Sequence, residues 1–464
     1  MSGSRTPPAA VAPHPAAQPP STVPLARGEL LALACSVGLV PLNSTMMAVA
    51  IPAIAQDLAA APGMLMQWLV TSYLLLTVVA QGPSGKLGDR LGHARALTVG
   101  QCMFALGSVI GFLAHALPLL VAARLLMAVA GAVIVPAATA MVRLRLPEAQ
   151  RARAFGAFGA VMGLSAAIGP LVGGEVAARL GWPALFLVNL VPLSLAAGLA
   201  WHHRAGGVHV PVERRPARFD ILGSVLLGSG LTLVVMGAWT PAHWLPTVGA
   251  GLAGLLVFGW WERRVADPVV DLRLFGRPAF AAGCLIIGLQ NFTMYALLFE
   301  LPLVFTRSFG ATSALVGRAL LALTLAMVCG SMAGGRVAGW LGARRAALLG
   351  TAVALAGGGL LALIPIDSVA GALPAMVLLG LGLGLSTPAA TSALMAAAPA
   401  RDSGMASAMQ GTVRYLGGIG GIALVSAMVT GKDPLVAHQH SVGIHAAVLG
   451  LAMVLAALIP DKGR

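Results

Sequence analysis

Long apolar runs alternate with short polar punctuation along this chain, and the length of the runs is the dominant signal. Runs of roughly twenty residues, enough for a helix to cross a bilayer, lie near 29–52, 67–84, 96–115, 117–141, 154–177, 183–201, 220–240, 244–261, 279–304, 314–335, 345–365, 370–392, 404–430 and 441–459. The backbone of a membrane span must satisfy its own hydrogen bonds, so the pattern predicts an all-α polytopic membrane protein of about 14 transmembrane helices. Residues 1–27, rich in Pro, Ala and Ser and without an apolar period, read as a disordered cytoplasmic tail. That segment lacks the basic and compact apolar regions of a cleaved signal peptide, so the first run is expected to remain as a helix.

Charge orients the spans. The 464 residues are 58% hydrophobic and 9% charged, with a net charge of +14. Basic residues collect in alternate loops: Lys86/Arg90/Arg95, Arg143/Arg145/Arg151/Arg153, Arg204/Arg214/Arg215/Arg218, Arg263/Arg264/Arg273/Arg277, Arg336/Arg344/Arg345, Arg401, and the tail with Lys462 and Arg464. Intervening loops hold only Arg179, Arg307 and Lys432. This alternation places both termini in the cytoplasm. It also explains the basic excess without nucleic acid, which is not an expected partner. Cys35, Cys102, Cys284 and Cys329 all fall inside apolar runs and read as small core residues, not as a disulfide framework or a metal site.

A short charged, glycine-rich stretch, Gly85-Lys86-Leu87-Gly88-Asp89-Arg90-Leu91-Gly92-His93-Ala94-Arg95-Ala96-Leu97, separates the second and third runs and is expected as a tight surface loop. It recurs as Gly335 to Arg345, with Gly85/Gly335, Gly92/Gly342 and Arg95/Arg345 in register. An internal repeat of this kind is how many secondary transporters are built. The spacing predicts two six-helix halves, 28–205 and 279–464, with two inserted transmembrane helices and their flanking cytoplasmic loops in 206–278.

At these residues the chain resembles the major facilitator superfamily, specifically its fourteen-helix drug/proton antiporter branch. Gly85 to Leu97 resembles the family's G-x-L-x-D-R-x-G-r-r loop, and Leu42-Asn43-Ser44-Thr45 to Pro52 is similar to the first-helix signature L-D-x-T. Arg124 stands at the fourth-helix arginine. Gly159, Gly163 and Gly169-Pro170-Leu171-Val172-Gly173-Gly174 resemble the fifth-helix antiporter motif, and Arg414-Tyr415-Leu416-Gly417-Gly418 is similar to R-x-L-G-G. Several positions depart from the pattern: Asn43 replaces the usual aspartate, Met127, Ala128 and Ala130 replace the glutamine and glycines usual after the fourth-helix arginine, and Gly339 replaces the aspartate in the second loop copy.

The resemblance implies proton-coupled export of small amphipathic molecules such as drugs or antibiotics across a bacterial inner membrane, by alternating access. The alternative is a dedicated metabolite transporter of either direction. It implies gating by Gly85, Asp89, Arg90, Gly92 and Arg95, with the Asp89 carboxylate holding the cytoplasmic side closed. Partners are then the substrate, protons and the bilayer, with no cofactor and a monomer as the working unit. No nucleotide loop G-x-x-x-x-G-K-[ST] and no nucleophile constellation occurs in the sequence, so no enzyme is expected.

Candidate sites follow from where polar groups interrupt apolar runs. Arg124 lies roughly 10 Å inside its span, counting 1.5 Å per residue, and must face a cavity, a partner or a neighbour's carbonyls. Glu300, in Leu297-Leu298-Phe299-Glu300-Leu301-Pro302, is an acid well inside an apolar run. It could bind a proton, or, at roughly 30 Å from the cytoplasmic end, sit on the outer rim beside Arg307. Asn43, Gln290, Asn291, Tyr295 and Arg414 are candidates to line the central cavity, and Glu175 is a further acid just beyond Gly174.

Overall fold

The computed structural model describes residues 26–460, apart from 205–219, 240–243, 266–267, 269, 271, 364–367, 400–402 and 430–432. The side chains of Lys86, Asp89 and Arg153 are also outside the description. Residues 1–25 of the predicted disordered tail and the basic residues Arg214, Arg215, Arg218, Arg401, Lys432, Lys462 and Arg464 fall outside the described residues, while Arg27, the last residue of that predicted tail, already begins α1.

The N-terminal half comprises α1 (Arg27–Asp57), α2 (Pro62–Leu65), a π turn (Met66–Thr71), α3 (Ser72–Leu91), α4 (His93–Phe112), α5 (Leu117–Arg145), α6 (Glu148–Leu180), α7 (Ala184–Val188) and α8 (Leu190–Arg204). Next come α9 (Ile221–Trp239) and α10 (Trp244–Glu262). The C-terminal half comprises α11 (Pro278–Phe309), α12 (Ser313–Leu341), α13 (Ala343–Leu363), α14 (Val369–Ala397), α15 (Ser403–Val429) and α16 (Pro434–Ala457). Among the described residues, 12 helices are long and apolar enough to cross a membrane. Two shorter apolar helices, Ala184–Leu199 and Leu222–Gly237, stand where the other two runs were predicted. The chain is a multi-pass membrane protein.

Several helices outrun their predicted spans because polar residues at their ends continue the backbone ladder. α3 runs on to Leu91 past a predicted end at 84, and α16 starts at Pro434 where the apolar run began at 441. Asp433 caps it, its carboxylate accepting from Leu435 N at 2.8 Å, with Pro434 at the first helical position.

The stretch 85–97 is not an extended loop. Helical hydrogen bonds continue through Leu91, and Gly92 N still donates to Gly88 O at 2.9 Å. The whole reversal falls on Gly92, at φ 87°, from which α4 departs at His93. Gly342, at φ 83°, does the same between α12 and α13. Only glycine adopts this backbone without strain, so the repeat seen in sequence is one turn built twice.

The inserted α9 and α10 pack on each other, and α9 leans on α3 of one half and α15 of the other. The close approach is made by small residues, since a Cβ on Gly251 would lie 2.7 Å from Val234 N. Cys284 is buried and Cys35 half-buried, but Cys102 and Cys329 are exposed on their helices, so two of the four cysteines are not core residues.

The halves meet along α6 and α12. Thr324 of α12 donates to Ala167 O at 2.9 Å near mid-helix. Further along, a Cβ on Gly174 would lie 3.0 Å from Gly317 Cα, so the two backbones touch. At the end, Arg318 Nη2 lies 2.6 Å from Glu175 Oε1. Ser426 of α15 donates to Gly63 O of α2, at 2.9 Å, on the same face. Toward the arginine-rich face the two helices separate: a Cβ added at Gly156, Gly159 or Gly163 of α6, or at Gly335 or Gly339 of α12, meets open space. The molecule is sealed at the face opposite the arginines and splayed toward them.

Candidate functional site

Polar side chains that the apolar runs cannot explain converge where α1, α3, α5, α11 and α15 meet. Arg124 of α5 is 0% exposed. Its Nε donates to Leu69 O at 2.9 Å, and its guanidinium carbon stands 4.1 Å from the centroid of the Tyr73 ring. Leu69 lies in the π turn, a widened turn of the kind that exposes backbone carbonyls and recurs at functional sites. Nη1 and Nη2 of Arg124 have no hydrogen-bond partner among the described residues. A desolvated cation over an aromatic face gains on the order of 2 kcal/mol, well short of the cost of removing it from water. The pocket is therefore electrostatically incomplete, and an anionic or electron-rich group would complete it.

The chain has 3 tyrosines, Tyr73, Tyr295 and Tyr415, and all interact in this region. Tyr295 neighbours Ser44 of α1 and Arg414 of α15. Tyr73 and Tyr295 are buried, whereas Arg414 and Tyr415 are half-exposed. The site is layered, with Arg414 and Tyr415 in front and Arg124 and Tyr73 behind.

On α1, Thr45 turns back to Pro41 O at 2.9 Å, whereas Asn43 faces across to α8's start. Asn189 Nδ2 donates to Asn43 Oδ1 at 3.4 Å, leaving Asn43 Nδ2, Asn189 Oδ1 and Ser44 Oγ without partners among the described residues. Asn189 was missed from sequence, although an amide inside an apolar run was the available signal. It sits in the break between α7 and α8.

Two predicted cavity residues are held by helix partners. Gln290 donates to Ser386 Oγ at 2.5 Å and accepts from Thr387 at 3.2 Å, fastening α11 to α14. Asn291 donates back to Ile287 O at 2.8 Å.

Glu300 is neither on the rim nor paired with Arg307. It is 1% exposed, and Arg307, nearly two turns further on, is exposed. Glu300 Oε1 lies 3.0 Å from His438 Nδ1 and accepts from Ser441 Oγ at 2.5 Å. Oε2 lies 3.4 Å from His445 Nε2. The partners were not legible because the predicted last span began at 441 and left His438 in a loop. Their spacing, His438, Ser441, His445, marks one face of a helix and was the available signal.

The fifth-helix glycines divide. Gly169, Pro170, Gly173 and Gly174 are buried; a Cβ on Gly173 would lie 3.1 Å from Met46 Cα of α1, and Gly174 packs on Gly317. A Cβ added at Gly159 or Gly163 would meet nothing within 4 Å, so these two do not make the close packing expected of them. In the gating stretch, Arg90 and Arg95 are exposed at the arginine-rich face, while the surroundings of Gly85 and the Asp89 side chain lie outside the description. Glu175 is tied to Arg318 and also to Arg179, at 3.1 Å.

Comparison with known proteins agrees with this architecture. The model of the Major Facilitator Superfamily matches residues 33–422. The chain is 33% identical over 417 residues to the tetracenomycin C resistance and export protein of Streptomyces glaucescens, covering 87% of this chain and 76% of that protein. It is 33% identical over 460 residues to the cephamycin export protein CmcT of Amycolatopsis lactamdurans, covering 94% and 93%. Among solved structures, a peptide transporter in complex with sulfate superposes with a TM-score of 0.69 at 16% identity, covering 95% of this chain and 96% of that one. A bacterial homologue of the lysosomal transporter Spinster gives 0.65 at 16% identity, covering 93% and 96%. The match extends over most of the chain and both halves, and the chain belongs to the Major Facilitator Superfamily.

Proposed function

We propose that this protein exports small amphipathic molecules, antibiotics or drugs among them, from the cytoplasm in exchange for protons. The observation that carries the reading is Arg124: a fully buried cation with two unpaired nitrogens, backed by Tyr73, at the junction of two six-helix halves. The named relatives export antibiotics, which supports the same direction.

The arginine-rich face is the cytoplasmic one, with both termini on it, in the inner membrane of a bacterium. The sealed face then looks outward, and the separation of α6 from α12 leads from the cytoplasm toward Arg414 and Tyr415. That is the state an exporter needs for loading. Aromatic substrates stack on the tyrosines, Asn43 and Asn189 supply hydrogen bonds, and the arginines favour neutral or anionic groups. Asn43 bears no charge and cannot carry the proton, and Glu300, more deeply buried than Asp220 or Glu262, is the acid assigned to it. Gly85, Asp89, Arg90, Gly92 and Arg95 gate the cytoplasmic side when it closes. The monomer contains both halves and is the working unit.

The test is efflux from reconstituted vesicles under an imposed pH gradient, using ethidium, rhodamine 6G, fluorescein and norfloxacin as the panel. Transport of several panel members, abolished by Arg124→Ala at unchanged protein level, supports the reading. A second reading rests on relatives named for single antibiotics, tetracenomycin C and cephamycin: transport of one compound class alone would favour a dedicated exporter.

A further inference from the structure

Glu300, His438, Ser441 and His445 form a polar island in the membrane-spanning part of the C-terminal half, away from the Arg124 pocket. Their exposures are 1%, 2%, 1% and 1%. Every one of the three α16 side chains bears on one carboxylate, His438 and Ser441 on Oε1 and His445 on Oε2. Fastening α11 to α16 requires one neutral donor. Here there are three, and His438 Nε2 and His445 Nδ1 still lack partners among the described residues.

The charge arithmetic is informative. A carboxylate with two neutral imidazoles carries a net −1, one added proton makes the cluster neutral, and a second makes it +1. A bare charge in this setting is costly, so the cluster holds a proton whenever it is sealed. Imidazole is the side chain suited to releasing and regaining one near neutral pH. The titratable groups that bear on Glu300 are His438 and His445. On the other helices packed against α11, Arg414 and Tyr415 of α15 bear on Tyr295, and Arg318 of α12 pairs with Glu175. Asn43 and Ser44 on α1 do not titrate. No group of three His, Cys, Asp or Glu side chains that could hold a metal ion occurs among the described residues.

We propose that Glu300, His438 and His445 are the proton-binding site of the transport cycle, with the histidines taking up the proton that Glu300 stabilises. This rests on the proposed proton-coupled export and names the site of coupling. Counting from Pro434, His438 lies roughly 6 Å and His445 roughly 17 Å from the outer end of α16. The site therefore spans the outer part of the membrane, from which protons enter. α11 links it to substrate: Glu300 and Tyr295 share that helix, and the Phe292 ring meets His445 edge-on at 6.3 Å. Phe292 also packs on Gly420 of α15, the helix of Arg414 and Tyr415. Pro302, two residues past Glu300, removes a helical hydrogen bond to Leu298 O and supplies a hinge.

The experiment compares two modes in vesicles, using the panel dye with the highest wild-type rate. One is transport driven by a pH gradient; the other is dye exchange at equal pH, which needs no net proton movement. Glu300→Gln and the double substitution His438→Gln with His445→Gln are expected to lose at least tenfold in gradient-driven transport and to keep exchange within about threefold. His438→Gln alone is expected to displace the pH profile of transport. Unchanged driven transport and pH profile in these variants would overturn the proposal, as would equal loss of both modes, which marks a structural fastening. Wild-type protein that transports dye without moving protons would instead refute the parent reading, and this site with it.

Discussion

Arg318 of α12 and Glu175 of α6 meet at 2.6 Å across the junction of the halves, at the end of a seam whose backbones touch at Gly174 and Gly317. The ion pair is partly exposed, so solvent and salt screen it. The glycine contact has no such weakness, because displacing a backbone requires moving a helix.

The first prediction concerns the glycine seam. A Cβ on Gly317 would lie 3.1 Å from Gly174 Cα and closer still to Pro170 O, so Gly317→Ala must part the helices. Overpacking of this kind costs about 1–3 kcal/mol. The sealed state should lose population and transport should fall at least tenfold, whereas Gly163→Ala, pointing into open space, should transport normally. Spin labels at Leu180 and Leu315, both exposed, would show the outer distance lengthening only in the first variant.

Glu175→Gln should act in the same direction but weakly. A few-fold increase in the outward-open population at low salt, disappearing at high ionic strength, is the expected result of the same distance measurement.

The turn glycines make a stability prediction. Gly92 and Gly342 stand at φ 87° and 83° between helices that begin one residue later. Alanine in such sparsely populated backbone costs about 1–3 kcal/mol. Gly92→Ala and Gly342→Ala should each lower the melting temperature in detergent by several degrees, with Gly276→Ala, which has nothing within 4 Å and no positive φ, as a neutral control.

How far the sequence spoke can be judged from these residues. Span length and arginine alternation made the helices and their order legible, and the in-register glycines pointed to the paired turns at Gly92 and Gly342. Arg124 was legible because an arginine in an apolar run has few acceptable environments. The convergence of Tyr73, Tyr295 and Tyr415 was not, since it depends on how three distant helices are rotated. His438 was hidden for a simpler reason: polar residues at a helix end lower local hydropathy, and the apolar run then starts too late. Gln290 and Asn291 looked like cavity residues because polarity marks a buried site without saying which neighbour satisfies it.

Arg124 makes the sharpest statement about substrate. Lysine would keep its charge but lose the planar contact with Tyr73 and the directed Nε bond to Leu69 O. Arg124→Lys should therefore retain fluorescein transport at a tenth or less of the wild-type rate, while Arg124→Gln should lose preference for fluorescein over ethidium.

The central claim is that substrate leaves as protons enter through one carrier. Vesicles containing the protein, a trapped pH indicator and an imposed gradient test it directly. Adding a transported dye should start proton flow opposite to the dye, collapsing the gradient should stop net transport, and each flux should require the other. Dye accumulation that persists after the gradient is collapsed, or protons moving in the same direction as the dye, would contradict it.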